Sequence, residues 1–142
     1  MKPVVALLIL FSTATQILAQ DTTSVFVNNN KVGQTISRMG QKETIIVLKK
    51  SIFKTYQSFV IQIKGENTGG PGYKTDLEIT GDSTVIISEI KDKPGNFDIT
   101  KTNTKQQLLA GKILKFYLVL NPSNSRMMRP SKKIYSGNIM MK

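Results

Sequence analysis

The sequence contains no cysteine, no histidine and no tryptophan among its 142 residues. Without cysteine and histidine the chain cannot form a Ser-His-Asp or Cys-His site, a zinc site with nitrogen and sulfur ligands, a thiol redox pair or a disulfide. Without tryptophan, a flat surface that stacks on carbohydrate rings is not favoured. We therefore expect a protein that is not an enzyme, with no catalytic residues, no cofactor and no metal site.

Acidic residues are also scarce, with nine against twenty lysines and arginines, so the formal net charge is +11. Asp76 and Glu78 are the only close pair that would share one face of a strand, and a solvated face explains them better than a pair of catalytic acids. The excess of positive charge predicts attraction to anions. Specific nucleic-acid binding is not expected, because Tyr56, Tyr73 and Tyr135 are too far apart in sequence to indicate a stacking platform.

The N-terminal segment has the layout of a secretory signal peptide. Lys2 precedes an apolar run at residues 4–11, which is much shorter than the roughly 20 residues of a membrane-spanning helix. We expect cleavage after Ala19, with Ala14 as the alternative, leaving residues 20–142 as one domain with a net charge of +10. The lack of cysteine, and of any Asn-x-Ser/Thr site not blocked by proline, favours a bacterial periplasmic or secreted protein.

Short runs rich in β-branched residues, bounded by Gly, Pro, Asn or Asp, predict strands along most of the chain. The clearest are TIIVL at 44–48, FVIQIK at 59–64, LEIT at 77–80, TVIISEI at 84–90 and KILKFYLVL at 112–120. The last run is apolar on both faces, which is typical of a central strand. The only helical candidate, TKQQLLAG at 104–111, spans about two turns and is interpreted as a connector.

Turn residues separate these runs at regular intervals. Asn28-Asn29-Asn30 and Gly81-Asp82-Ser83 have the composition of hairpin turns. We therefore predict an all-β, antiparallel sandwich of about 7–9 short strands with one short helical connector. In strand number and spacing across residues 24–141, the layout resembles an immunoglobulin-like domain, although the Cys, Trp and Cys marks of antibody domains are missing. A small closed barrel is the alternative.

A cationic loop, RMMRPSKK at residues 126–133, lies between the last two predicted strands. Its proline interrupts strand pairing, and loops at the ends of sandwiches often carry binding residues. Arg126, Arg129, Lys132 and Lys133 are therefore the candidate anion-binding residues, since guanidinium groups fork onto carboxylates or phosphates and lysines add point charge. The alternative is that the methionines close the end of the sandwich while the cations keep the loop soluble.

Two further groups of lysines occur in the middle of the chain. They are interpreted as solvent-facing charges that prevent strands from aggregating edge to edge. The first group surrounds Ser51-Ile52-Phe53 and the second surrounds the helical candidate: Lys49, Lys50 and Lys54, then Lys101, Lys105 and Lys112.

Together these patterns predict a secreted or periplasmic binding or structural module that docks an anionic partner, such as an anionic surface, an acidic glycan or an acidic protein. One alternative is a self-assembling surface subunit, in which TSVFV at 23–27 or IYSGNIMM at 134–141 pairs with a neighbouring copy. Another is an inhibitor of a secreted enzyme that presents the loop at 67–73. Docking by charge should weaken with salt, whereas strand pairing should persist.

Overall fold

The computed structural model describes residues 20–38, 43–65, 72–124, 126 and 130–142. The predicted signal peptide, Arg129 and most of the loop at 67–73 lie outside these ranges. Within them, nine strands form two packed sheets, which confirms the predicted all-β sandwich. The immunoglobulin-like subtype and the cleavage site stay predictions.

The strands alternate inward and outward side chains, as the sequence patterns indicated. In chain order they are β1 Gln20–Val27, β2 Asn30–Arg38, β3 Ile45–Leu48, β4 Phe59–Gly65, β5 Tyr73–Thr80, β6 Thr84–Ser88, β7 Asn96–Asp98, β8 Leu114–Pro122 and β9 Lys132–Met141. A 3₁₀ helix, Lys50–Phe53, lies between β3 and β4, and the helix α1, Thr104–Leu109, lies between β7 and β8. The predicted helical connector is therefore confirmed. None of the helices in the described ranges has the length and apolar composition needed to cross a bilayer.

The two predicted hairpins are confirmed. Asn28 and Asn29 turn β1 into β2 with φ angles of +51° and +64°, a conformation that asparagine adopts more readily than most residues. β5 and β6 pair from Thr80 opposite Thr84 up to Asp76 opposite Ser88, so residues 81–83 form the turn between them.

The strand order is β2-β1-β4-β7 in one sheet and β3-β9-β8-β5-β6 in the other. β8 is the middle strand of the larger sheet, as predicted from its apolar faces. Among the described pairs, β3 with β9 is the one parallel pair, running from Ile45 opposite Asn138 to Leu48 opposite Met141. The sequence predicts an all-antiparallel arrangement, and this pair differs from that prediction. The alternation of IIVL determines which side chains are buried, but it does not determine the direction of the neighbouring strand.

The core lies between the inner faces of the two sheets. Phe59, Ile61 and Ile63 of β4 are almost completely buried, and Phe116 and Leu118 of β8 belong to the same apolar cluster. One end of the sandwich is closed by three aromatic rings, Phe53, Tyr56 and Phe59, whose centroids lie 5.4 to 6.5 Å apart. The 3₁₀ helix supplies the first of these rings and therefore covers this end of the core.

The two ends of the sandwich carry different connections. The β1–β2 turn, the 3₁₀ helix, α1 and the β5–β6 turn share one end, because β1 and β5 finish there and β8 starts there. The β8–β9 connection, which contains residues 126–131 of the cationic loop, lies at the opposite end with the start of β5, whereas Lys132 and Lys133, predicted as part of the loop, begin β9. Pairing within the sheets thus separates the cationic loop from both of the other lysine groups.

Candidate functional site

The cationic loop contributes fewer free charges than its sequence suggests. Lys133 lies on the outer face of the larger sheet, where its ammonium is 2.6 Å from a Glu78 carboxylate oxygen and 4.3 Å from the centroid of the Tyr117 ring. Arg126 is exposed in a turn, and its backbone N–H donates to Oδ1 of Asn124 at 3.0 Å. Lys132 is exposed at the start of β9. Arg129 lies outside the described residues, so the predicted group of four is seen only in part.

A second cationic surface forms at the other end of the sandwich, where two distant segments meet at Tyr56. The Tyr56 hydroxyl donates to the backbone carbonyl of Thr100 at 2.7 Å, and the Lys105 ammonium lies 4.2 Å from the centre of the Tyr56 ring. The Thr100 hydroxyl oxygen also accepts the backbone N–H of Phe59 at 2.9 Å. These contacts place residues 56–59 beside the segment at 100–105, and the contact of the Phe53 ring with the Tyr56 ring brings the 3₁₀ helix close to both.

We call this surface the lysine-rich end. It combines the exposed lysines on and around the 3₁₀ helix and before α1 with the half-buried lysine within α1, and its members are Lys49, Lys50, Lys54, Lys101 and Lys105. Lys142 is adjacent to it, because its backbone N–H donates to Leu48, the residue before Lys49, at 2.9 Å. Both lysine groups are evident in the sequence, which predicts separate solvated charges, since nothing in their spacing indicates that they meet.

The Asn28 side chain forms hydrogen bonds with the segment that directly follows the 3₁₀ helix. Its side-chain oxygen accepts the backbone N–H groups of Gln57 and Ser58 at 2.7 and 3.1 Å, and its side-chain amide donates to the Thr55 carbonyl. One turn residue of the β1–β2 hairpin therefore holds the backbone at three positions, Thr55, Gln57 and Ser58. This tether orders the chain directly after Lys54 and positions the Tyr56 ring.

The charge of the lysine-rich end is only weakly opposed by acids among the described residues. Asp98 acts on Tyr56 by its charge, and its carboxylate accepts the backbone N–H of Thr100 at 2.9 Å. Asp82 lies 3.4 Å from Lys112 and is paired with that lysine. Burial, together with the negative charge of Asp98, raises the pKa of Tyr56 above its usual value of 10.0. The phenol therefore stays neutral at physiological pH, and the lysines determine the charge of this surface.

Exposed aliphatic side chains accompany these lysines. Leu109 is 43% exposed and Ile113 is 51% exposed, and both belong to the segment that leaves α1 toward β8. Lys105 and Leu109 are four residues apart in α1 and so project from the same side of the helix. Leu108, between them, is completely buried and anchors the helix to the core. The end of the sandwich thus offers positive charge and apolar surface side by side.

The acid pair singled out in the sequence does not stand free. Glu78 forms the ion pair with Lys133, and Asp76 accepts a hydrogen bond from the Asn121 side-chain amide at 2.9 Å. A cavity of about 320 Å³ between β4, β5 and the β6–β7 connection is lined by one acidic residue within the described part of the chain, Glu89. That carboxylate accepts the backbone N–H of Gly95 and so serves the local turn. Within the described ranges, no cluster of side chains could hold a metal ion.

A polar network covers the outer face of the larger sheet. Glu43 lies 2.7 Å from the Lys115 ammonium and also accepts the Asn138 side-chain amide at 3.1 Å. The hydrogen bond and charge of Lys115, with the hydrogen bond from Asn138, lower the pKa of Glu43 below its usual 4.5, and Glu43 in turn raises the pKa of Lys115. Burial and the charge of Glu43 raise the pKa of Tyr135. The ion pair and hydrogen bonds of this network connect the start of β3 to β8 and β9.

The two strands named for strand addition are interior strands. TSVFV belongs to β1, which pairs with β2 on one side and with β4 on the other. IYSGNIMM belongs to β9, which pairs with β3 and β8. Within the described residues, β1 is therefore paired along both of its sides, and β9 is paired on both sides over Asn138–Met141. Of the loop named for enzyme inhibition, only Gly72 and Tyr73 fall within the described residues.

Comparison of the chain with protein-family models, with curated proteins and with solved structures finds no match. The functional argument therefore rests on the geometry of the molecule itself.

Proposed function

We propose that this protein is a secreted or periplasmic, non-enzymatic sandwich module that docks on an anionic lipid surface through its lysine-rich end. The observation that carries this proposal is the contact of the Tyr56 ring with Lys105 and Thr100, which brings the lysines of two separate segments onto one surface. Location outside the cytoplasm is inferred from the signal-peptide pattern at residues 1–19.

A lipid surface fits this end better than an acidic glycan or an acidic protein does. Lysines near an anionic bilayer contribute about 1 kcal/mol each, and apolar side chains gain by entering the boundary between headgroups and acyl chains. Leu109 and Ile113, both near half exposed, are placed to make that second contribution. A soluble polyanion would engage the lysines but would leave these two side chains in water.

The proposal is tested by vesicle co-sedimentation across a salt series, with vesicles containing phosphatidylserine and with neutral phosphatidylcholine vesicles. The triple variant Lys50→Ser, Lys54→Ser, Lys101→Ser removes three exposed charges from the lysine-rich end. We expect its affinity for the anionic vesicles to fall by about 100-fold, because three charges each contribute about 1 kcal/mol. Neutral vesicles should bind neither protein.

The matched control removes the same number of charges from the cationic loop, through Arg126→Ser, Arg129→Ser and Lys132→Ser. We expect this variant to bind nearly as well as the wild type. An equal loss in both variants would mean that binding follows net charge alone. A loss confined to the cationic loop variant would place the docking site at the opposite end of the sandwich.

A double variant distinguishes a lipid surface from a soluble polyanion. Leu109→Ser with Ile113→Ser should weaken vesicle binding and leave binding to a soluble acidic polysaccharide unchanged, because only the bilayer offers an apolar layer. If both ligands bind this variant as they bind the wild type, the aliphatic side chains play no part, and the lysine-rich end recognises anions by charge alone.

A further inference from the structure

β6, Thr84–Ser88, forms an edge of the larger sheet. It pairs with β5 on one side, and within the described residues no strand pairs with its other side. Ile86, at its centre, is 64% exposed, which is the highest exposed fraction among the large apolar side chains described. At this edge another strand could be added without breaking a ladder of the described fold.

The hydrogen-bond pattern shows which backbone groups of β6 point outward. The Glu89 N–H donates to the Thr75 carbonyl at 3.1 Å, and the Gly81 N–H donates to the Ser83 carbonyl at 3.3 Å. Hydrogen-bonded pairs recur every second residue in an antiparallel ladder. The N–H and C=O groups of Val85 and Ile87 therefore face β5, and those of Thr84, Ile86 and Ser88 face the open edge.

The sequence of β6 lacks the features that usually protect an edge. Natural edge strands are blunted by charges, proline, a bulge or very short length. β7, at the edge of the other sheet, has only three residues, and β2 carries charges at Lys31 and Arg38 and pairs with β1 through an irregular register. β6 reads TVIIS, with no charge and no proline across five residues.

β3, the other edge of the larger sheet, is also uncharged, but it is shorter and partly covered. It has four residues, and β2 of the smaller sheet approaches it so closely that a Cβ at Gly33 would overlap the Ile46 side chain. β2 therefore packs tightly against the inner face of β3, and the exposed side chains of β3, Ile45 at 48% and Val47 at 49%, are less exposed than Ile86. β6 is the more accessible of the two edges.

We propose that two copies of this protein pair through β6, antiparallel and in register around Ile86, to form one continuous sheet. Its outward groups suit this arrangement, because Ile86 would exchange both of its hydrogen bonds with Ile86 of the second copy, and Thr84 would exchange both of its own with Ser88. The pairing makes about six main-chain hydrogen bonds. It also brings the two exposed isoleucine side chains together and opposes no like charges within the strand.

The test is analytical ultracentrifugation of the purified protein over a concentration series that extends to its solubility limit. The wild type should double its apparent mass as concentration rises. Ile86→Lys should stay monomeric, because two ammonium groups would face each other at the centre of the pair. The matched control, Val47→Lys, places the same charge at a position 49% exposed on β3 and should dimerise like the wild type.

A single introduced cysteine reports the register independently, since the natural chain has none. Directly opposed residues in a hydrogen-bonded antiparallel pair have Cα atoms about 5.5 Å apart, within the range that a disulfide spans. Ile86→Cys should therefore form covalent dimers on mild oxidation, and Val47→Cys should not. A wild type that stays monomeric, a dimeric Ile86→Lys variant, or equal cross-linking at both cysteines would each overturn the proposal.

Discussion

At the scale of single residues, Asn28 links the hairpin turn to the lysine-rich end. It adopts a positive φ of +51°, and its side chain holds the backbone at Thr55, Gln57 and Ser58. The first property is visible in the sequence as an Asn-Asn-Asn turn. The second is not, because its partners lie about thirty residues further along the chain.

Replacement of Asn28 by alanine should lower the free energy of unfolding by about 2 to 3 kcal/mol. The variant loses the side-chain hydrogen bonds and places an alanine in the left-handed region of the backbone. Asn29→Ala serves as the control, because Asn29 has a similar φ of +64° with an exposed side chain. Urea denaturation of both variants isolates the tether. Equal losses in the two variants would show that Asn28 contributes only its backbone conformation.

The ion pair between Glu43 and Lys115 should make stability depend on pH in the acid range. The pKa of Glu43 is lower in the folded protein than its usual 4.5, so the pair stabilises the fold above that value. The contribution should disappear as the pH falls through the folded pKa and the carboxylate becomes protonated.

A double-mutant cycle with Glu43→Gln and Lys115→Gln measures this coupling. We expect favourable coupling in urea unfolding at about pH 7, and a coupling that decreases as the pH is lowered below 4.5 and through the folded pKa of Glu43. Coupling of the same size above and below the folded pKa would mean that the charge of Glu43 does not stabilise the start of β3. Because both groups are exposed, added salt should also reduce the coupling at neutral pH.

At the scale of elements, local patterns and tertiary context contribute differently. The alternation of FVIQIK predicts the buried face of β4, since Phe59, Ile61 and Ile63 must all project to one side of a strand. The 3₁₀ helix Lys50–Phe53 has no comparable signal, because its four residues form only one turn, and burial of Phe53 in the core stabilises it. The same limit applies to β3, whose parallel partner lies about ninety residues away in the chain.

The order of the strands in each sheet likewise determines which strands lie at an edge and which lie in the interior. β1 and β9 lie near the two ends of the described chain, where sequence alone favours accessible strands, yet each is enclosed by two neighbours. β6 has a similar β-branched composition but has a neighbour on one side only in the described fold. Its composition indicates a strand, and only the strand order shows that it is an edge.

At the scale of the whole molecule, the two proposals have a joint consequence. β6 runs from the lysine-rich end, where β5 turns into it, toward the opposite end of the sandwich. Antiparallel pairing of two copies reverses one of them end for end. The two lysine-rich ends would then face in opposite directions, so the dimer would bridge two anionic surfaces.

The wild type should therefore aggregate anionic vesicles, measured as an increase in light scattering. Ile86→Lys should bind the same vesicles by co-sedimentation without clustering them, because a monomer offers one docking end. Val47→Lys is the control for added charge and should cluster vesicles as the wild type does. If the wild type is dimeric and binds vesicles but does not cluster them, the two docking ends do not point apart.

The sequence by itself determines the class of the fold and the chemistries that are absent. Alternating β-branched runs and asparagine or glycine turns dictate strands and hairpins through local sterics and burial, and a chain without cysteine or histidine has no thiol or imidazole to use. The candidate anion-binding residues of the cationic loop were also identified locally, as a run of charge.

Tertiary structure alone decides which charges act together. Lys133 forms an ion pair with Glu78 from a neighbouring part of the sheet, while Lys105 of α1 lies over the ring of Tyr56, about fifty residues earlier in the chain. The parallel β3–β9 pair and the open edge of β6 are decided in the same way. These ion pairs and strand pairings have the same physical cause. Each depends on contacts between residues far apart in the chain, and local sequence preferences do not determine which distant residues meet.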